Sequence, residues 1–246
     1  MNNPELVNEQ QEPEIISSRA LMGLIGLLAF LLPILLFFSS IIVDDCNAIQ
    51  SSISAYYHTG VGDGLVGMIC ALSFAFFSYK GYVHDQNILN DSLFGVLASV
   101  FALGVAFFPT SIGIGESSNC TVIFDNGIYG KIHYVSAVLL FLTLALFCML
   151  QFTKTGPNSY IFSAGIWSSL TTKKKSEIKF YIYCGFLIII CMILAAIYFS
   201  LGDDNEFKKK LLYYKPIFWL ETLMLWAFSA AWLRKSKFFG VYHTVL

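Results

Sequence analysis

Two histidines and two acids could carry chemistry together in this sequence: His58, Asp63, His133 and Glu221. Imidazole nitrogens and carboxylate oxygens are ligands for a transition metal such as zinc. A zinc ion that also holds a water molecule could hydrolyse an ester or an amide. The same four groups would equally suit a buried hydrogen-bond network, a proton relay or a pocket for a lipid headgroup. The residue types leave these alternatives open.

Long apolar runs are the elements that must position these side chains. The chain is 57% hydrophobic and 13% charged, whereas a soluble domain carries about 25% charged residues. A helix that crosses a bilayer needs about 20 mostly apolar residues. Six runs meet or approach this length: residues 21–43, 64–79, 92–109, 132–152, 180–201 and 217–233. The second and the sixth are the shortest.

These runs predict an all-α membrane protein, a bundle of six transmembrane helices with a short interfacial segment between the first two spans. One membrane domain covers residues 20–234. An acidic tail at 1–19 precedes it, and a short tail at 235–246 follows it. The net charge of −1 argues against a nucleic-acid partner, so the expected partners are membrane lipids.

The order of the spans brings the candidate residues to one membrane face. Asp63, His133 and Glu221 lie near the starts of the second, fourth and sixth spans, and these starts share a face because an even number of spans separates them. His58 lies just before the second span. If residues 51–58 form an α-helix, Ser54 shares one face with His58, because the two are four residues apart.

A polar pocket that faces outward is therefore expected. Tyr57 would lie at headgroup level, where amphipathic rings are favoured. An ionisable residue at the centre of a span costs about 2.5–3.5 kcal/mol, so Glu221 is expected to face the bundle and to have a partner. The pocket is predicted to contain Ser54, Tyr57, His58, Asp63, His133 and Glu221, and the candidate zinc ligands are His58, His133 and Glu221.

Basic residues predict the orientation, because loops on the cytoplasmic side are enriched in lysine and arginine. The clusters at residues 173–175 and 234–237 place both termini in the cytoplasm, and the run at 208–210 is the opposing evidence. Cys46 and Cys120 then fall in two loops assigned to the outside. They are a candidate disulfide pair in an oxidising compartment, although their spacing fixes no geometry.

Four motifs resemble the bacterial and archaeal membrane proteins called the domain of unknown function 998 family: residues 52–59, 101–110, 132–137 and 218–221. The resemblance implies six spans and a bacterial inner membrane, and it brings no established activity. A weaker likeness is to the six-span family that includes DRAM, Sfk and the GPI-anchor lipid-remodelling factor. His133 and Glu221 would be the matching positions, which implies work on lipids.

Three functions remain open from the sequence. The first is a membrane protein whose outward-facing polar pocket binds a lipid headgroup or a small ligand. The second is a metal-dependent intramembrane lipid hydrolase. The third is a transporter or proton-coupled carrier.

Overall fold

The apolar runs of the sequence are helices in the computed structural model, which describes residues 12–44, 49–81, 89–111, 127–155, 166–202 and 204–238. A 3₁₀ helix, here called η1, covers Ser54–His58, and a π-helical turn at Phe147–Gln151 continues α4. The described part of the chain contains no strand, which confirms the all-α prediction. The α-helices are α1 (Glu12–Asp44), α2 (Gly62–Ser78), α3 (Asp91–Phe107), α4 (Gly127–Leu146), α5 (Ile166–Ser169), α6 (Thr172–Ser200), α7 (Glu206–Leu212) and α8 (Pro216–Ser236).

Four helical segments in the described residues are long and apolar enough to cross a membrane: Arg19–Val43, Gly127–Gln151, Thr172–Ser200 and Pro216–Ser236. The sixth run was expected to be short, but α8 has 21 residues, because Pro216 starts it and it continues to Ser236. Helices α2 and α3 are also apolar, but each has only 17 residues. The chain is therefore a helical protein with the character of a membrane protein.

Several helix boundaries differ from the predicted runs. Helix α1 begins at Glu12, inside the predicted acidic tail. Helix α3 ends at Phe107, although its run was expected to continue to residue 109. Pro109 explains the second difference, because a proline disfavours the helical conformation at the residue before it, and Phe108 has extended dihedral angles. Cys46 and Cys120, the candidate disulfide pair, lie outside the described residues.

Six helices form a closed ring in which each contacts two neighbours. The order around the ring is α1, α2, α3, α4, α6, α8 and back to α1. Small residues permit some of these contacts. A Cβ atom on Gly95 of α3 would lie 2.6 Å from the backbone oxygen of Phe76 in α2. Ala98 and Ala102 of α3 are also buried, so α3 packs closely between its neighbours.

Gly62 provides a stability prediction, because it starts α2 directly beneath η1. A Cβ atom at Gly62 would collide with the backbone oxygen of Tyr57, whereas one at Gly64 would meet no atom within 4 Å. We expect Gly62→Ala to destabilise the protein by about 1–3 kcal/mol, as overpacking does. Gly64→Ala, the matched control, should be neutral or stabilising by up to about 1 kcal/mol, because alanine favours helix more than glycine does. Thermal unfolding in detergent measures both, and equal melting temperatures for the two variants would contradict the steric argument.

Candidate functional site

The segment between α1 and α2 contains a short helix, η1, which is stabilised by the hydroxyl groups of two flanking residues. The backbone N–H of Ala55 donates to Ser52 Oγ at 2.9 Å, and Thr59 Oγ1 donates to the backbone oxygen of Tyr56 at 2.8 Å. Tyr56 is fully buried. Burial raises the pKa of the Tyr56 phenol above its ordinary value, so this ring stays uncharged. The segment is therefore packed into the bundle and does not lie loosely on its surface.

Helix α8 binds the start of η1 through two reciprocal hydrogen bonds. The N–H of Ile53 donates to Glu221 Oε2 at 2.6 Å, and the N–H of Phe218 donates to the backbone oxygen of Ser51 at 3.1 Å. Glu221 Oε2 thus satisfies a backbone donor at the start of η1. The prediction that Glu221 has a partner is confirmed, and this partner is the main chain.

Two histidines bind the chain where it leaves α3. His58 Nε2 lies 2.7 Å from the backbone oxygen of Thr110, and His133 Nδ1 lies 2.8 Å from that of Phe108. Carbonyl oxygens cannot donate, so these nitrogens carry the protons. Pro109 lies between the two acceptors and has no N–H to donate. Because the chain is no longer helical here, the carbonyl oxygens of Phe108 and Thr110 need hydrogen-bond donors from other elements. Each histidine meets that need from a different element.

The helix type of η1 explains why the side chains of Ser54 and His58 face different directions. The prediction that they share one face assumed an α-helix, in which residues four apart are neighbours. A 3₁₀ helix has about three residues per turn, so the two side chains differ by about 120° around the axis. Ser54 faces the interior of the ring, whereas His58 faces the exit from α3. The ring of Tyr57 lies edge-on to that of His58, with the centroids 5.7 Å apart.

The structure does not bring all the predicted residues into one pocket. Asp63 is exposed on the first turn of α2, where its charge suits the helix N-terminus. Within the described residues, no three side chains from histidine, cysteine, aspartate and glutamate are grouped so that they could hold a metal ion. The structure therefore does not group the candidate zinc ligands His58, His133 and Glu221 as one set. Each of the three side chains instead forms a hydrogen bond with a different backbone group.

The ring contains a cavity of about 60 Å³ beside η1. Among the described residues that line it, only Ser54 and Glu221 are polar, and they come from η1 and α8. The other walls are apolar. The sequence analysis did not identify these apolar lining residues. Four of them recur at helical spacing on one face of α2, which is a pattern that the sequence alone could have shown: Leu65, Ile69, Leu72 and Phe76.

Comparisons of this chain with known protein families, with curated proteins and with solved structures find no match. The geometry of the chain itself is therefore the basis for the functional argument.

The two histidines give a second stability prediction. His58→Ala leaves a buried carbonyl oxygen without its donor and His133→Ala a partly buried one, and each should cost about 1–3 kcal/mol of unfolding free energy. Because both hold the same short segment, the double variant should lose less than the sum, with a coupling of about 0.5 kcal/mol or more. Denaturant unfolding in micelles measures this cycle. Val135→Ala on the exposed face of α4 is the control, and strictly additive losses would contradict the shared role.

Proposed function

We propose that this chain is a six-span protein of the bacterial inner membrane, with both termini in the cytoplasm, whose central cavity binds a small amphiphile. The bound molecule would be mainly apolar and would carry one hydrogen-bonding group. Its polar group would lie at Glu221 and Ser54, and its apolar part would lie against the helix walls. The proposal rests on one observation, the carboxylate of Glu221 at the edge of an otherwise apolar cavity.

Six spans are proposed because α2 and α3 belong to the same ring as the longer helices. At 1.5 Å per residue, 17 residues extend about 25 Å, against a hydrocarbon core of about 30 Å. Local thinning of the bilayer accommodates a difference of a few ångströms at modest cost. The resemblance to the domain of unknown function 998 family implies the same number of spans.

The lining of the cavity favours an uncharged amphiphile over an anionic headgroup. A phosphate group would lose its hydration in the cavity and would find no basic partner among the described lining residues, and burial of an unpaired charge is costly. A hydroxyl or amide group needs only one or two hydrogen bonds, which Glu221 and Ser54 can supply. A volume of about 60 Å³ is enough for a few water molecules. A larger ligand would insert only its end, or the helices would have to separate slightly.

Filling the cavity tests the proposal. Ala137 of α4 lines the cavity, and Ala137→Leu places three further carbon atoms there. We expect this variant to lose at least tenfold in labelling by a short alcohol that carries a photoreactive diazirine. Peptide mass spectrometry should locate the wild-type label on α2 or α4, and the label should decrease in Glu221→Gln. Ala196→Leu makes the same change on the exposed face of α6 and should label like the wild type.

Size-exclusion chromatography checks that Ala137→Leu and Ala196→Leu are both folded. Equal labelling of the two folded variants would refute the cavity as a binding site. The same preparations test the two other functions predicted from the sequence. Stoichiometric zinc that is lost in both His133→Ala and Glu221→Gln would favour the metal-dependent hydrolase. Flux of a solute or of protons through reconstituted wild type, abolished in Glu221→Gln, would favour the carrier.

A further inference from the structure

A second, larger hollow lies on the outer surface of the bundle, at the opposite end of α8 from Glu221. Its walls come from α1, α8 and the first turns of α6, and its volume is about 860 Å³. We call it the α1–α8 groove. Its apolar part includes Phe30, Trp226 and Leu233, and its polar end includes Lys173, Arg234 and Lys237.

The apolar wall of the groove is fixed in place by the contact between α1 and α8. The rings of Phe30 and Trp226 stack with centroids 5.6 Å apart. The indole Nε1–H of Trp226 donates to the backbone oxygen of Phe30 at 3.1 Å. Nearby, Ser229 Oγ donates to the backbone oxygen of Gly26 at 2.6 Å. This wall therefore needs no rearrangement before an apolar chain can lie on it.

The polar end of the groove carries an excess of positive charge. Lys173, Arg234 and Lys237 are all exposed. Glu177 is the one acid among the described residues that line the groove, and its carboxylate already lies 3.6 Å from Lys174 Nζ. The guanidinium of Arg234 lies over the ring of Phe180, 4.4 Å from the centroid. This stacking orients the group while its N–H edge remains available to an anion.

The spacing of the two parts matches an amphiphile. Eight residues separate Trp226 from Arg234 along α8, which corresponds to about 12 Å. An anion at Arg234 can therefore be joined to a hydrocarbon chain that lies over Trp226. Basic pockets beside membrane helices attract anionic headgroups, and each lysine or arginine strengthens the attraction.

We propose that the α1–α8 groove binds one anionic glycerophospholipid. Its phosphate would contact Arg234 together with Lys173 and Lys237, and one acyl chain would lie along Phe30 and Trp226. This site is separate from the central cavity, and it does not depend on the function proposed for that cavity.

Quenching of tryptophan fluorescence by brominated lipids tests the proposal on the full-length protein in detergent. The probes are phosphatidylglycerol and phosphatidylcholine with the same dibrominated acyl chain. We expect saturable quenching at lower concentrations of phosphatidylglycerol than of phosphatidylcholine. Trp226→Phe, which retains an aromatic ring beside Phe30, should remove most of the saturable signal, because the other tryptophans do not line the groove.

Charge variants separate the groove from general attraction to anionic lipid. The double variant Arg234→Gln/Lys237→Gln should raise the apparent dissociation constant for phosphatidylglycerol about tenfold to thirtyfold and leave that for phosphatidylcholine nearly unchanged. Lys209→Gln/Lys210→Gln removes the same charge from the exposed face of α7, at the other end of the bundle, and should behave like the wild type. Ala137→Leu in the central cavity should also bind phosphatidylglycerol normally, so a failure of one proposal is distinguishable from a failure of the other.

Three outcomes would overturn the inference. Equal affinities for the two lipids would remove the role of the basic end. Equal effects of the two double variants would show attraction by overall charge alone. A changed oligomeric state in Arg234→Gln/Lys237→Gln, with unchanged lipid quenching, would assign the groove to a second copy of the chain.

Discussion

The side chain of Glu221 binds the backbone N–H of Ile53, and this contact holds the start of η1 against α8. In apolar surroundings, each unsatisfied backbone group costs several kcal/mol. A chain that enters the bundle without forming a long helix must therefore receive partners from elsewhere. Residues 51–59 receive them from α8, from Ser52 and from Thr59. Without an acceptor at position 221, the start of η1 would lose the hydrogen bond that holds it against α8.

The same requirement explains the two histidines. Their residue types suggest acid–base or metal chemistry, yet each uses one ring nitrogen to bind a carbonyl oxygen on either side of Pro109. The other nitrogen of His58, Nδ1, is buried and has no hydrogen-bond partner in the described part of the chain. The polar residues around η1 thus divide into two sets. One set satisfies irregular backbone, and a smaller set, Ser54 and Glu221, also faces an internal space.

Much of the fold could be predicted from apolar run length alone. Four of the expected runs correspond to helices of membrane-spanning length, and the interfacial segment was expected at the place where η1 lies. The partner of Glu221 could also be anticipated in kind, because an acid within a span needs one. Its identity could not, since Ile53 lies 168 residues away in the chain.

The rest of the site depended on details that a sequence pattern does not carry. Residues 54–58 form a 3₁₀ helix and not an α-helix, and His58 therefore lies on a different face from Ser54. No residue in that stretch indicates which of the two helix types forms. The apolar lining of the cavity lies on several different helices, so it becomes visible only when the ring is closed. Asp63 was placed at the correct end of α2, but its exposure follows from how α2 is rotated within the ring.

The cavity exists because small residues line it beside leucine and phenylalanine side chains. Ala29, Ala102 and Ala137 come from three different helices, and one longer side chain at such a position would occupy much of the space. The size of the cavity is therefore set by the residue type at a few positions on separate helices, and a single substitution can fill it.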